Sequence, residues 1–213
     1  MPDTQPLVKV CGLTNPAEAA ACADLGVWAI GVVFAPESVR CVDIDQARSI
    51  CAVVPAHVRR VGVFVDPDPA MAASAVSGAG LTDVQLHGRR VDVDRIRAAV
   101  GVPVFQGFPV AGASDLVAAR ASHADLVFLD ASVSGRHGGT GERFDWELLE
   151  RTPLERPFVL AGGLDPDNVS DAVRRVRPWA VDVSSGVESG PGRKDPARVA
   201  AFMQAVRGMA EVR

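Results

Sequence analysis

The chain contains no tyrosine, and only four of its 213 residues are cysteine. Those four, Cys11, Cys22, Cys41 and Cys51, sit in the first quarter, with no C-x-x-C pair and no Cys/His cluster at zinc spacing. A disulfide framework and a structural metal are therefore not expected, and free thiols in a cytoplasmic protein are the economical reading. Long hydrophobic runs are also missing. The longest, Val27 to Ala35, is interrupted by Gly31 and stops at Pro36, short of the ~18 residues a membrane helix needs. The start, Met1-Pro2-Asp3-Thr4-Gln5, is polar and lacks a basic stretch followed by an apolar one, so no signal peptide is expected. Excess positive charge is absent. A net charge of −4 argues against sequence-independent nucleic-acid binding, which runs on clustered Lys and Arg.

What is present is apolar substance. At 48% hydrophobic residues and a small net charge, the chain is not disordered and can bury a full core. Eight short runs rich in Val, Leu and Phe recur: Leu7–Cys11, Val27–Phe34, Val58–Val65, Asp83–Leu86, Pro103–Phe108, Leu126–Asp130, Phe158–Ala161 and Ala180–Ser184. Each is apolar at consecutive positions, the pattern of strands covered on both faces, as in a parallel sheet.

Between them the period changes. Ile44, Ala47, Cys51 and Val54 form a helical stripe, as do Val169, Ala172, Val173 and Val176, and Val199, Phe202, Met203 and Val206. Asn15-Pro16, Asp165-Pro166 and Asp195-Pro196 read as helix starts, with an Asx cap and Pro at the first helical position. Asn15 with Glu18 reads as a variant capping box. Alternating strands and helices, repeating about every 25 residues, predict an α/β fold. Eight repeats without a linker predict one (β/α)8 TIM barrel over residues 1–213, with a doubly wound open sheet as the alternative. The longest connection, Ala131 to Arg143, carries Gly138-Gly139-Thr140-Gly141 and reads as a mobile lid.

In a barrel the chemistry sits at the C-terminal ends of the strands. Gly162-Gly163 follows the seventh run and Ser184-Ser185-Gly186 the eighth, where barrels often hold phosphate on backbone N–H groups. Ordinary βα turns would also explain the glycines. Cys11 ends the first run and Asp130 the sixth. The next helix starts only near Asp145, so Asp130 is poorly placed as its cap, and the two groups form a candidate base and acid pair. Lys9, two residues before Cys11 on the same face, would favour the thiolate. Cys22 and Cys51 read as small hydrophobes on helices. Asp66 is a helix cap or a mouth residue. Asp182 points into the mouth or orders the phosphate loops. His87 is a ligand donor or a strand-end residue satisfied by backbone. His57, His123 and His137 read as surface residues.

The motifs also resemble a known family. Lys9-Val10-Cys11-Gly12-Leu13-Thr14, Gly31-Val32-Val33-Phe34 through Ser38 and Arg40, Val84-Gln85-Leu86-His87-Gly88, Leu129-Asp130, Ala161-Gly162-Gly163-Leu164, and Asp182-Val183-Ser184-Ser185-Gly186-Val187-Glu188 followed by Lys194-Asp195 resemble phosphoribosylanthranilate isomerase of tryptophan biosynthesis. The resemblance implies a barrel without metal or organic cofactor. It implies an Amadori rearrangement of N-(5′-phosphoribosyl)anthranilate to 1-(2-carboxyphenylamino)-1-deoxyribulose 5-phosphate. It makes Cys11 the general base, Asp130 the general acid and Arg40 the holder of the anthranilate carboxylate. Gly162, Gly163, Ser185 and Gly186 match the phosphate site, and His87 and Asp182 are carried as further substrate-binding residues. The expected partner is a small phosphosugar, with no nucleic acid or membrane, for a monomer or homodimer. Competing expectations are the related histidine-pathway isomerase, whose pattern has an acid where Cys11 stands, and a catalytically silent phosphate-binding barrel.

Overall fold

The computed structural model describes residues 5–130, 146–152 and 154–208. The Gly138–Gly141 segment read as a lid, the rest of the connection from Ala131 to Arg143 including His137, and the helix start expected near Asp145 lie outside these residues.

Eight parallel strands close into a barrel in sequence order. They are β1 (Leu7–Cys11), β2 (Ala29–Val33), β3 (Arg59–Val65), β4 (Asp83–His87), β5 (Val104–Pro109), β6 (Leu126–Asp130), β7 (Phe158–Ala161) and β8 (Ala180–Val183). The helices between them are α1 (Pro16–Asp24), α2 (Ile44–Ala52), α3 (Pro69–Ala79), α4 (Val93–Val100), α5 (Ala113–Ala121), α6 (Glu147–Arg151) and α7 (Val169–Val176), and α8 (Pro196–Arg207) follows the barrel. Between β8 and α8 lies an element the sequence pattern did not suggest. A short 3-10 turn (Ser185–Val187) leads into an antiparallel hairpin of β9 (Glu188–Gly190) and β10 (Arg193–Lys194).

Local chemistry sets the helix starts. Asn15, Asp68 and Asp195 cap α1, α3 and α8, each with Pro just inside. A reciprocal capping box forms at Asp43 and Gln46 on α2. The box expected at Asn15 is only half made: Glu18 N–H donates to Asn15 Oδ1, but the Glu18 carboxylate accepts instead from the Lys194 backbone N–H at 3.0 Å. Asp165-Pro166 opens a turn rather than a helix. Asp165 Oδ1 accepts from the N–H of Asp167 and Asn168, and α7 begins at Val169. Asp66 is not a cap either. It takes a left-handed φ of 43°, and its carboxylate accepts from the N–H of Arg89 and Arg90, tying the end of β3 to the loop after β4.

Alternation divides each strand. The outward residues, among them Val8, Val10, Ile30, Val32, Phe64, Leu86, Leu129 and Leu160, join the helices in one continuous core. Inward residues fill the barrel. Its lower part is apolar, made of Ala29, Val61, Phe105, Leu126, Phe128, Val159 and Ala180 over Trp28. Above it the lining turns polar, with buried Lys9, Gln85 and Asp182, and Cys11 beside Val33, Ala35 and Val63.

Candidate active site

Lys9 and Asp182 are register partners on adjacent strands, both facing inward. Lys9 is 0% exposed, and its Nζ lies 2.9 Å from Asp182 Oδ2 and over the Phe128 ring. Burial opposes its charge, but Asp182 and Cys11 outweigh burial and raise the Lys9 pKa. Burial also pushes the Asp182 carboxyl up, against the pull of Lys9. Asp182 Oδ1 and Gln85 Oε1 are buried with no hydrogen-bond partner among the described residues.

Cys11 stands one pleat above Lys9, half-buried. Room for both comes from Gly31 on the neighbouring strand: a Cβ there would lie 2.8 Å from the thiol sulfur and 3.2 Å from Lys9 Nζ. Burial raises the Cys11 thiol above its ordinary value. Lys9 and Lys194 pull it back, and Asp182 adds to the rise. Lys9 therefore acts in the expected direction but does not outweigh burial. Cys22 and Cys51 are buried on α1 and α2, each with its thiol pushed up to about 11, chiefly by burial.

Asp130 ends β6, facing inward across the mouth from β1. Its charge reaches His87 and Asp182. His87 ends β4, in the space that the absence of a Cβ on Gly107 leaves. Gln85 Nε2 lies 2.8 Å from His87 Nε2, and burial lowers the imidazole pKa against Asp130. His87 is thus satisfied by a side chain rather than by backbone. Of the outlying histidines, His57 is exposed, and His123 is exposed but paired with Asp94 at 2.8 Å.

The loops after β7 and β8 meet. Gly162 and Gly163 take φ of 88° and 64°, and Asn168 Nδ2 donates to Gly163 O. Gly186 packs so tightly that a Cβ would fall 1.9 Å from Leu164 O. The N–H groups of Ser185 and Gly186 open the 3-10 turn, where no preceding carbonyl of that turn can accept them. Gly186 thus packs directly against the loop that follows Gly162 and Gly163 at the mouth.

Arg40 crosses the β1 end over Gly12, where a Cβ would lie 2.4 Å from Arg40 Cδ. One edge of its guanidinium, Nε and Nη2, donates to Glu188 at 2.7 and 2.6 Å. Glu188 also accepts from Lys194 Nζ at 2.6 Å, and that ammonium reaches Ser184 O and Oγ. Ser184 Oγ donates to Cys11 O at 3.0 Å. Sequence reasoning gave Glu188, Lys194 and Gly31 no role, and read Ser184 only as part of the loop after the eighth run. The available signal was a pair of opposite charges flanking the Pro191-Gly192 turn just after the last strand.

Comparison with known proteins finds relatives of the whole barrel. The family model described as N-(5′-phosphoribosyl)anthranilate (PRA) isomerase matches residues 8–205. The N-(5′-phosphoribosyl)anthranilate isomerase of Pseudomonas fluorescens is 43% identical over 201 residues, spanning 93% of this chain and 94% of the relative. The crystal structure of phosphoribosyl anthranilate isomerase from Thermotoga maritima superposes with a TM-score of 0.88 at 36% identity, covering 95% and 99% of the two chains. Another solved phosphoribosyl anthranilate isomerase, in complex with reduced 1-(o-carboxyphenylamino)-1-deoxyribulose 5-phosphate, gives 0.84 at 36% identity over the same shares. With a match that spans nearly every strand and helix of the barrel, the chain belongs to the N-(5′-phosphoribosyl)anthranilate isomerase family.

Proposed function

We propose a division of labour for the isomerisation that this family carries out, the Amadori rearrangement of N-(5′-phosphoribosyl)anthranilate. Asp130 donates a proton to the furanose ring oxygen, and the ring opens to an iminium ion. Cys11 removes the proton from C2, giving an enolamine that tautomerises to the ketone of 1-(2-carboxyphenylamino)-1-deoxyribulose 5-phosphate. The observation that carries this reading is the placement of the two groups on inward faces at the upper ends of β1 and β6. A sugar lying across the mouth meets one on each side.

The surroundings suit the task. A thiol raised by burial is a stronger base once ionised, and Lys9 and Lys194 support the anion when it forms. The amides of Gly163, Ser185 and Gly186 take the phosphate at one end of the substrate. The second edge of the Arg40 fork takes the anthranilate carboxylate at the other. His87 contacts the open-chain sugar. Asp182 holds Lys9 beneath Cys11, so its contribution to binding passes through that lysine. The working form is a monomer or homodimer in the cytoplasm.

The experiment is turnover of the purified chain on N-(5′-phosphoribosyl)anthranilate, alongside the aminoaldose of the histidine pathway. Conversion of the anthranilate substrate is expected. A folded chain that converts neither would be a silent phosphate-binding barrel, and one that converts only the other would be the related isomerase.

A further inference from the structure

Glu188 is a buried carboxylate at the mouth, held by two cationic side chains. Its side chain is 5% exposed and accepts three charge-assisted hydrogen bonds, two from Arg40 and one from Lys194. Those bonds hold it ionised despite burial, keeping its pKa below the ordinary carboxylate value. Lys194 is 1% exposed and directly opposite Glu188 in the β9–β10 hairpin, where the two are register partners. The hairpin is itself tied to the barrel. Thr14 Oγ1 donates to Gly192 O at 2.8 Å, and the Lys194 N–H donates to the α1 residue Glu18.

A carboxylate on an arginine fork can be a competitor for the substrate's own carboxylate or a fixed part of the fork's mounting. Two features decide between them. Glu188 cannot leave without stranding the buried Lys194 ammonium without its carboxylate partner, a strongly unfavourable state for a buried charge. And it occupies only the Nε–Nη2 edge. A guanidinium has five N–H donors, so the Nη1–Nη2 edge remains for a second planar carboxylate. The aliphatic part of the same side chain lies in the space that the missing Cβ of Gly12 leaves. Arg40, a long side chain that is otherwise rich in rotamers, is thus given a path over Gly12 and held at one edge of its head.

We propose that Glu188 is a positioning residue for carboxylate recognition: braced by Lys194 on the hairpin after β8, it locks Arg40 so that the free edge of the guanidinium faces the anthranilate carboxylate. The inference rests on the reading of Arg40 given above. It makes the hairpin part of the binding site, and it makes the charge balance of the cluster deliberate. Two cations and one anion leave a single positive charge for the single carboxylate of the ligand. Replacing Glu188 by Gln keeps the size but gives Arg40 an amide N–H where it needs an acceptor, and leaves Lys194 repelling it.

The test compares two ligands by calorimetry on the full chain. One is the product, 1-(2-carboxyphenylamino)-1-deoxyribulose 5-phosphate. The other is its counterpart without the carboxylate, 1-phenylamino-1-deoxyribulose 5-phosphate. Glu188→Gln should weaken the carboxylated ligand about tenfold or more, the scale of one lost charged hydrogen bond, and leave the other within about twofold. In turnover, KM should rise while kcat stays within about threefold. Adding Glu188→Gln to Arg40→Lys should cost little more, because the two act on one contact. If the buried Lys194 prevents the single variant from folding, Glu188→Gln with Lys194→Met removes both charges and should show the same discrimination. Equal weakening of both ligands would mean that Glu188 is merely structural. Unchanged or tighter binding of the carboxylated ligand would mean that it is idle or a competitor. Either result overturns the proposal. If Arg40→Lys itself fails to discriminate between the ligands, the reading of Arg40 falls, and this inference with it.

Discussion

The two halves of the barrel interior are built by the same strands with the same alternation, yet they differ in kind. Below, the inward residues are mostly apolar, among them Ala29, Val61, Phe105, Leu126, Phe128, Val159 and Ala180, with one ion pair, Arg59–Asp83, at the lower ends of β3 and β4. Above, beside Val33 and Val63, they include Lys9, Cys11, Gln85, His87, Asp130 and Asp182, and two buried oxygens there have no hydrogen-bond partner among the described residues. Apolar burial contributes stability roughly in proportion to area, whereas a buried ion pair such as Lys9–Asp182 at best breaks even against desolvation. The lower half therefore supports the fold, and the upper half, where the proposed chemistry sits, gives up stability. Spaces are treated in the same way. The upper half keeps Gly31 and Gly107 so that Cys11, Lys9 and His87 can fit where a Cβ would stand.

Substitutions in each half should separate these roles. The largest effect belongs to the upper pair. Cys11→Ser and Asp130→Asn should each lower kcat by ~10²–10⁴-fold, with melting temperature and phosphate binding retained. Wild-type turnover in either variant would remove that residue from the proposed chemistry. The mirror change lies below: Phe105→Ala should cost about 3–5 kcal/mol of unfolding free energy in urea titration, while kcat of the remaining folded enzyme stays near wild type. A kcat loss as large as that of Cys11→Ser would erase the distinction between the halves. A smaller effect is expected at the rim. Lys cannot reproduce a fork, so Arg40→Lys should reduce kcat/KM by about 1.5–3 kcal/mol.

The smallest effect is a shift in pH dependence. On the proposed assignment the base is the Cys11 thiolate, and burial raises the Cys11 pKa, so the rising limb of kcat/KM should move to higher pH. It should still be climbing at the ordinary thiol value of about 8.5. A plateau reached below neutral pH would mean that a different group is the base.

Much of this contrast is readable from the sequence, and the exceptions have physical causes. The bounds of β1, β6 and β7 agree with the expected runs, because each apolar run is broken sharply by a Gly, a polar residue or a charge. β2 is shorter than its run, since Val27 packs below the sheet with the helices and Phe34 continues past it. Cys11, Asp130 and the glycine loops are legible because barrel topology assigns meaning to strand ends. The Glu188–Arg40 contact is not, since it joins residues 148 apart through a hairpin whose strands are too short and too charged to show a pattern. Asp165-Pro166 misleads because an Asx side chain that caps a helix can equally close a turn, and here Asn168 completes the turn by accepting the Asp165 N–H.

The most direct test of the division of labour is the isotope effect of deuterium at C2 of the substrate on kcat, measured in the two variants side by side. If Cys11 removes the C2 proton, Cys11→Ser makes that step limiting and shows a full primary effect. If Asp130 opens the ring, Asp130→Asn makes the earlier step limiting, and the effect on kcat disappears. The reverse pattern, with the full effect in Asp130→Asn and none in Cys11→Ser, would contradict the assignment of base and acid.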